Sequence, residues 1–554
     1  MQQGMTAKWG RWKGAVCGFF LVLLCPQNPK AQDTLHSPLA LPLQFSGNFG
    51  EIRTGHFHTG LDIRTEGREG VPVLAAQDGQ IGRIKVSDRG YGRALYLNGG
   101  GLTTVYAHLS SFHPDIEAWL QEAQYAKESW LFDGPPDQVF RFAMGDTIGW
   151  SGNSGRSFGP HLHFEVRDQR NQWPINPLHW VMKGQGVTQD DVPPEFRGVW
   201  VMPLEGSEVE GEAKRFRWSP AYGESSKVAG PFRLGIEAFD RMDGEPFSHG
   251  PYGMDVWLDG EMVHSHRMDT LDFSTNGDVV AHVDLAAWQD RRSRVHRLHR
   301  LPGNRLDIYA QVNSMSPFEV APGDTSILDV VVLDMAGNQT QVKMALLGDS
   351  LPKSGEALRP VALDRNRRHR VTGGRAAVEL PPGSLYADAV VTVLDDSTGR
   401  FAVECEARVT RSDYTLSVPV PADFVGSGDA LVLCALDERD EVDGTWVSDE
   451  SGGYMSTKLD RFGIFEVRSD TLPPVIGWPQ VASGKLSMTV SDDLSGLKRW
   501  EGRCGDQWMR LAFEKGVLWH PLEDGVLEAG QEVKVWAVDA SGNLGHRTFT
   551  WPVQ

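Results

Sequence analysis

The first third of the chain alternates between short apolar runs and glycine-rich breaks. The runs that lie before residue 110 are Val71–Ala76, Gln80–Val86, Ala94–Leu97 and Thr103–His108, and the pattern returns at Thr147–Trp150 and Leu162–Val166. Apolar runs of this length between turn residues are typical of β-strands. We therefore expect a small, mostly antiparallel β domain here, which we place at residues 32–185.

One segment of this domain has a different period. Between Phe112 and Phe140, Ile116, Trp119, Leu120 and Ala123 fall at helical spacing behind His113-Pro114. This pattern predicts a helical insertion at 112–140 that begins near His113. Its apolar stripe needs a cover, and two interpretations stay open: the helix packs on the flank of the domain, or it roofs one end of a groove.

The stretch Gly159–Arg167 reads GPHLHFEVR. Successive side chains of a strand point to opposite faces, so Leu162, Phe164 and Val166 would share an apolar face. His161, His163 and Glu165 would share the other. By itself an H-x-H motif decides nothing, because the chain has three of them.

After Trp180 the chain contains an internal repeat. Two segments open on an aspartate followed closely by Pro-Pro, and end on a strand, a D-x-x-G-N turn and a further strand (Asp334–Asn338 and Asp539–Asn543). This ending is typical of the terminal hairpin of a β-sandwich. We expect immunoglobulin-like β-sandwiches at 190–350 and 470–554, and a β domain of uncertain type at 355–469. The predicted fold class is therefore mainly β throughout.

The N-terminus resembles a secretory signal peptide. Lys8, Arg11 and Lys13 precede the apolar run Ala15–Leu24, and Ala31 offers a small residue for cleavage. The run is too short and wrongly flanked for a membrane span, so we expect residues 1–31 to be removed and the mature chain to have none. Leu24 argues against a lipid anchor on Cys25. The predicted location is the periplasm or cell envelope, or the medium.

Net charge and cysteine content exclude some classes of binding partner and of metal site. Loss of residues 1–31 removes four basic residues and no acid, which takes the net charge from −19 to −23 and argues against nucleic acid as a partner. Three cysteines remain, too sparse for a thiolate metal site. In an oxidising compartment we expect Cys405 to pair with Cys434, and Cys504 to be left over and buried.

GPHLHFEVR has companions upstream. The chain reads HTGLD at His58–Asp62, YAHLS at Tyr106–Ser110, GNSG at Gly152–Gly155 and GPHLHFE at Gly159–Glu165. In this order the motifs resemble the lysostaphin-like (LytM-type) zinc metalloendopeptidases. The resemblance covers about residues 45–180, a quarter of the chain. The insertion at 112–140 departs from the compact family pattern, so the family's specificity does not transfer directly.

The resemblance implies a zinc site and two catalytic histidines. His58, Asp62 and His163 would bind Zn²⁺, two imidazoles and one carboxylate, which leaves a fourth position open as catalytic zinc sites require. His161 and His108 would be catalytic. A strand places His161 about 7 Å from His163 on the same face, so it can reach the reacting centre without binding the metal. Which of the two histidines acts as the base stays open.

Other polar residues have less specific roles. His56 is expected in a supporting or surface position, and Asn153 and Gly155 in a loop that walls the cleft. Glu165 either orients a ligand or is exposed. The pair His264/His266 lacks a companion motif and is expected at the surface.

The function that this implies is hydrolysis of peptide cross-links in peptidoglycan by an exported zinc enzyme. The alternative is a catalytically inert relative that activates or scaffolds cell-wall hydrolases, or a protein whose β-sandwiches serve mainly for adhesion. Inert relatives typically lack some ligands, whereas all five histidine and aspartate positions are present here. The C-terminal modules would offer a surface for an envelope protein partner.

Overall fold

A computed structural model describes residues 34–552, except 181–189, 220–224, 245, 292, 315–316, 351–361, 397–398, 406, 422–423, 425–429, 437–441, 448 and 452. The predicted signal peptide and Cys25 lie outside these residues. The described chain is mainly β and its sheets are largely antiparallel, so the predicted fold class is confirmed.

Antiparallel strands build the part of the chain that carries the motifs. They are β1 (Phe45–Gly47), β2 (Ile52–Arg53), β3 (His56–Phe57), β4 (Leu61–Arg64), β5 (Pro72–Leu74), β6 (Gly79–Val86), β7 (Arg93–Gly99), β8 (Leu102–Ala107), β9 (Leu109–Phe112), β10 (Phe132–Gly134), β11 (Arg141–Phe142), β12 (Thr147–Ser151), β13 (His161–Asp168) and β14 (Pro174–Ile175). The large sheet has the order β1-β4-β13-β8-β7-β6-β10, with β11 beside β6 and β14 beside β13. A small sheet, β5-β12-β9, faces it.

The hydrophobic core lies between these two sheets. From β13 it takes Leu162, Phe164 and Val166, all fully buried, together with apolar residues of β4, β7 and β8. His161, His163 and Glu165 occupy the opposite face of the sheet, as the alternation predicts. The functional side chains thus stand on a rigid strand whose other face is anchored in the core.

The predicted helix is present as α1 (Pro114–Lys127). His113 is its N-cap, and its ring Nδ1 accepts from the backbone N–H of Asp115. Ile116 and Leu120 are buried in the core described above. The opposite side of α1 contacts the C-terminal module: Tyr125 donates to the carboxylate of Asp524 at 2.7 Å. These contacts are those of flank packing.

Two further sheets follow, with a shared core between them. Their strands are β15 (Glu195–Pro203), β16 (Glu208–Val209), β17 (Phe216–Trp218), β18 (Ser225–Ala229), β19 (Phe232–Phe239), β20 (Gly253–Leu258), β21 (Glu261–Arg267), β22 (Val295–Arg297), β23 (His299–Arg300), β24 (Tyr309–Ser314), β25 (Thr325–Leu333) and β26 (Gln339–Gly348). The sheet orders are β17-β15-β19-β22 and β16-β18-β26-β25-β20-β21-β24-β23. A 3₁₀ turn (Asn276–Asp278) and the helices α2 (Val279–His282) and α3 (Leu285–Arg291) connect β21 to β22.

The rest of the chain forms two more pairs of sheets, each around its own core. The strands are β27 (His369–Gly373), β28 (Ala376–Leu380), β29 (Val391–Asp395), β30 (Arg400–Cys405), β31 (Val409–Pro419), β32 (Leu431–Leu436), β33 (Val442–Val447), β34 (Asp449–Ser451), β35 (Tyr454–Arg461), β36 (Gly463–Ser469), β37 (Val475–Ile476), β38 (Gln480–Ala482), β39 (Lys485–Ser491), β40 (Leu497–Cys504), β41 (Gln507–Trp508), β42 (Ala512–Glu514), β43 (Val517–Pro521), β44 (Glu532–Asp539) and β45 (Leu544–Thr550). A 3₁₀ turn (Leu522–Asp524) follows β43. The domain boundaries stay a prediction.

The sequence repeat corresponds to a repeated turn. Asp334 accepts from the backbone N–H groups of Gly337 and Asn338, and the Asn338 amide donates to the carbonyl of Asp190. The turn at Asp539–Asn543 has the same three bonds, the last to the carbonyl of Asp470. In both copies the D-x-x-G-N motif therefore ties the last hairpin to the start of its module.

The expected disulfide is wrong. Cys405 and Cys434 are both described and are not joined. They lie on β30 and β32, which flank β36 on opposite sides. Two interstrand spacings of about 4.8 Å separate such strands, more than the Cα–Cα distance of about 7 Å that a disulfide tolerates. Cys504 is buried, as expected.

The surface position expected for His264 and His266 is also wrong, since both are fully buried. They lie on β21, which is paired on both sides, by β20 and β24.

Candidate metal centre

Adjacent strands bring the three predicted ligands together. In the register of β4 and β13, Asp62 lies directly opposite His163. The segment before β4 adds His58, whose backbone pairs with Gly50 and Glu51. Asp62 Oδ1 lies 2.9 Å from His163 Nδ1 and 3.0 Å from His58 Nε2, and the two ring nitrogens are 3.1 Å apart. One atom of each side chain therefore faces a common point.

The hydrogen bonds of His58 and His163 show which nitrogen of each ring points away from the common point and which faces it. His58 Nδ1 lies 2.8 Å from the carbonyl oxygen of Asn48, which can only accept, so Nδ1 carries the proton. His163 Nε2 donates in the same way to Glu165 Oε1 at 2.8 Å. His58 Nε2, His163 Nδ1 and Asp62 Oδ1 then face one another. Burial lowers the pKa of His163, but its hydrogen bonds to Asp62 and Glu165 more than offset this and raise that pKa to about 9, so without a metal His163 Nδ1 shares a proton with Asp62 Oδ1. A cation would displace this proton and take the three atoms as donors. Such a group fits a cation, and its composition fits Zn²⁺.

The carboxylate of Asp62 is surrounded by positive or polarisable groups. Its second oxygen, Oδ2, accepts from Arg53 at 2.9 Å, and Arg53 also contacts Glu51. Burial alone would raise the pKa of Asp62, but His58, His161 and His163 around it hold that pKa well below its usual value. Asp62 is therefore an anionic ligand throughout the neutral range.

The two predicted catalytic histidines stand beside this group. His161 Nε2 is 3.4 Å from Asp62 Oδ1, and the rings of His108 and His161 are 4.7 Å apart between centroids. His161 Nδ1 donates to the carbonyl of Gly159, and His108 Nδ1 to the carbonyl of Ser154, both at 2.8 Å. In the neutral form of each ring the proton is therefore at Nδ1 and the lone pair at Nε2. Burial and the neighbouring histidines lower the pKa of His108 to about 3, so its ring is neutral.

Glu165 is fully buried and contacts His163, one of the predicted ligands. Its Oε1 accepts from His163, from the Thr59 hydroxyl and from the Tyr91 hydroxyl, and its Oε2 pairs with Arg167. Burial raises the pKa of Glu165, but the Arg167 guanidinium and His163 more than offset this and hold it well below the usual value. Arg167 had a signal in the sequence, because it follows Glu165 at i+2 on the same face of β13. Tyr91 had none.

The remaining predicted residues lie around the centre. His56 is exposed, and its Nδ1 contacts the carbonyl of Thr54. Asn153 and Gly155 flank Ser154, whose carbonyl holds His108, and Gly155 has a left-handed φ of 70°. A side chain at Gly155 would collide with the backbone of Gly92, so the loop approaches the turn before β7 closely.

The part of the chain from β15 to β26, the second module, contacts the segments that carry His58. The Asn48 side chain exchanges two hydrogen bonds with the backbone of Gly250, at 2.7 and 3.0 Å. Asn276 does the same with the backbone of Phe57, the residue before His58, at 2.8 and 3.0 Å. Arg294 pairs with Glu51 at 2.9 Å. Nothing in the sequence motifs pointed to these partners, which are about 200 residues away.

The His–Asp–His donor set on the sheet of this mainly β domain is compatible with a Zn²⁺ site. Residues 56–125 match the sequence profile of peptidase family M23. The domain that carries the motifs therefore belongs to peptidase family M23, and the LytM-type resemblance is confirmed.

Curated relatives share this domain. The DD-carboxypeptidase/endopeptidase Mpg of Neisseria meningitidis is 34% identical over 141 residues, which are 25% of this chain and 26% of Mpg. Lysostaphin of Staphylococcus simulans is 28% identical over 184 residues, 32% of each chain. The chain thus spans only about a quarter to a third of the length of these relatives.

Solved structures show similar likenesses. The catalytic domain of lysostaphin from Staphylococcus simulans is 25% identical, covers 24% of this chain and 86% of that domain, and gives a TM-score of 0.18. A zinc-containing peptidase from Vibrio cholerae is 26% identical over 25% of this chain and 37% of that one, with a TM-score of 0.18. Scores this low support no conclusion of their own.

Among the described residues, no helix is both long and apolar enough to cross a membrane.

Proposed function

We propose that the protein is an exported zinc metalloendopeptidase that hydrolyses peptide cross-links of peptidoglycan. The observation that carries the proposal is the convergence of His58 Nε2, Asp62 Oδ1 and His163 Nδ1 on one point, beside His161 and His108, whose Nδ1 atoms are each held by a backbone carbonyl. An inert relative has no need to keep all five groups in this arrangement.

The side chains divide the chemistry between them. Zn²⁺, when bound, would lower the pKa of a water molecule and polarise the scissile carbonyl. His161 and His108 are each able to accept a proton at Nε2, because each Nδ1–H is committed to a backbone carbonyl. One of them would take the proton of the attacking water at Nε2 and later deliver it to the leaving amine, and the other, in the state that carries a proton at Nε2, would donate a hydrogen bond to the oxyanion. Glu165 holds the orientation of His163.

The substrate class rests on the relatives and on the expected export. Mpg is named for a DD-carboxypeptidase and endopeptidase activity, which supports peptide bonds at D-amino acids as substrates. Glycyl bonds are the second class to test. The β-sandwich modules, which we propose to be immunoglobulin-like, would then hold the enzyme near the wall or near an envelope partner.

The experiment compares the full mature chain with two variants on purified sacculi and on defined muropeptides, with products identified by mass spectrometry. His161→Ala and His108→Ala should each retain one zinc in this site but lose activity by roughly a hundredfold or more, because an acid–base or oxyanion-stabilising group is removed. Near-normal turnover by either variant removes that residue from the mechanism.

The same assay separates the enzyme from the inert relative. Cleavage by the zinc-loaded wild type and its loss in His161→Ala support the enzyme. A zinc-loaded wild type that cleaves neither substrate, yet stimulates a purified cell-wall amidase equally well with His161→Ala, would favour the activator.

A further inference from the structure

A second group of histidines lies in the module after the peptidase part. His266 is the penultimate residue of β21, His282 ends α2 and His296 lies in β22, so three separate elements contribute one ring each. Their exposed fractions are 0%, 0% and 2%. One ring nitrogen of each lies within 4.8 Å of the others. Within the described chain no thiol or carboxylate belongs to this group.

The hydrogen bonds sort the ring nitrogens into outer and inner atoms. His282 Nδ1 lies 2.8 Å from the Tyr309 hydroxyl, and His266 Nδ1 lies 2.8 Å from His264 Nε2. The inner atoms are His282 Nε2 and His296 Nδ1, 2.8 Å apart, and His266 Nε2. Metal-binding histidines typically have this pattern, in which one nitrogen is held by a protein group and the other is free to bind.

One inner atom has no partner. His266 Nε2 is buried and makes no hydrogen bond to any described residue. Leaving a buried polar atom unpaired is costly, and native interiors rarely do so without a reason. His264 Nδ1 and both ring nitrogens of His299 are buried without a partner as well, and His266 Nε2 differs from them because its ring belongs to the group of three converging histidines. A cation between the three rings would give this nitrogen a partner.

The type of ligand indicates which metals the group could bind. Neutral imidazoles bind zinc and its neighbours among the transition metals, and are poor ligands for Mg²⁺ or Ca²⁺.

We propose that His266, His282 and His296 form a second metal site, structural in role and selective for Zn²⁺. This site goes beyond the proposed peptidase activity and does not depend on it. Its position suggests what it stabilises, since the ring of Phe57 lies 5.7 Å from that of His282, and Asn276 holds the Phe57 backbone. The site therefore supports the surface on which the segment before His58 rests.

The test removes the catalytic site first. The full chain with His58→Ala/His163→Ala retains neither of the two predicted imidazole ligands of the peptidase site. After incubation with excess Zn²⁺ and gel filtration, elemental analysis should find one zinc per chain. Adding His266→Gln should abolish it. The matched control is His299→Gln, also buried in this module but outside the group, which should keep one zinc.

A second measurement tests the proposal even if adding His266→Gln prevents folding. The double variant itself, stripped with a chelator, should melt at a lower temperature, and Zn²⁺ but not Mg²⁺ should restore the melting point. Its Co²⁺ form should show the visible absorption of a site with nitrogen ligands. Absence of zinc from the folded double variant, or a melting point indifferent to chelator and zinc, overturns the proposal. Equal zinc retention with His266→Gln and His299→Gln places the metal elsewhere and also overturns it.

Discussion

Variants of the buried ion pair Glu165–Arg167 distinguish its effect on zinc affinity from its effect on the stability of the sheet. Both side chains are buried, with exposed fractions of 0% and 7%, and the guanidinium makes two bonds to Glu165 Oε2. In Glu165→Gln the amide can replace the acceptor toward His163 only by turning its NH₂ group toward Arg167. The guanidinium then keeps its charge in a buried position without a counter-ion.

We expect two separate losses in Glu165→Gln. Removing one partner of a buried ion pair costs about 3–5 kcal/mol, so the peptidase part should melt roughly 10 °C lower. Weaker orientation of His163 should reduce zinc affinity by about 10–100-fold. Because the pKa of Glu165 is held well below its usual value, the stability of the pair is present at neutral pH and lost only in strong acid.

The double variant Glu165→Gln/Arg167→Met distinguishes the causes. It removes the unpaired charge, so most of the stability lost in Glu165→Gln should return. The melting temperature should rise again, and the amides of β13 should again be protected from hydrogen exchange. Competition titration with a zinc chelator should show that the affinity does not recover. The reasoning is refuted if the double variant is as unstable as the single one, or if Glu165→Gln binds zinc like the wild type.

Three further predictions test other parts of the structure. His163→Ala should lose the zinc of the peptidase site by elemental analysis, whereas the exposed His56→Ala should keep it; the reverse result would contradict the ligand assignment. Asn276→Ala leaves the backbone N–H and C=O of Phe57 without their partner, so we expect about 1–3 kcal/mol less stability in chemical denaturation and weaker zinc binding; an unchanged midpoint would argue against this contact. Burial and two neighbouring carboxylates raise the pKa of Asp240 to about 8, so the folded state takes up a proton and stability should fall as the pH rises from about 4 to 8. In chelator, Asp240→Asn should remove this decline in melting temperature, and a parallel decline in the variant would exclude Asp240 as its source.

The sequence predicted those parts of the site that depend on local periodicity. The alternation in GPHLHFEVR placed His163 and Glu165 on one face of β13, because a strand buried on its other face admits a single register. The spacing behind His113 likewise located α1. It left open whether the helix roofs the groove, since an apolar stripe shows that a helix is covered and not what covers it. The C-terminal module, about 400 residues away, contacts it.

The two wrong predictions, the disulfide and the surface histidine pair, both depend on strand pairing between segments distant in sequence. Cys405 and Cys434 belong to one module, but the strand order, which no periodicity reveals, places β36 between them. His264 and His266 looked like surface residues because they lack a motif. Their burial comes from β20 and β24 on either side and from the ring of His282 packed against His266, contacts that close between segments distant in sequence.

The interface with the second module bears on how the predicted ligand His58 is positioned. Phe49, Ile52 and Phe57 flank the ligand His58 and share a buried cluster with apolar residues of the second module, among them Val279 and Val283. Burial of each such side chain contributes about 1.5–3 kcal/mol, comparable to the net stability of a small domain when three are summed. Without that module these side chains would be exposed, and the segment that positions His58 would lose its main support. The module that follows the peptidase part is therefore part of the scaffold of the metal centre, and the site cannot be understood from residues 45–180 alone.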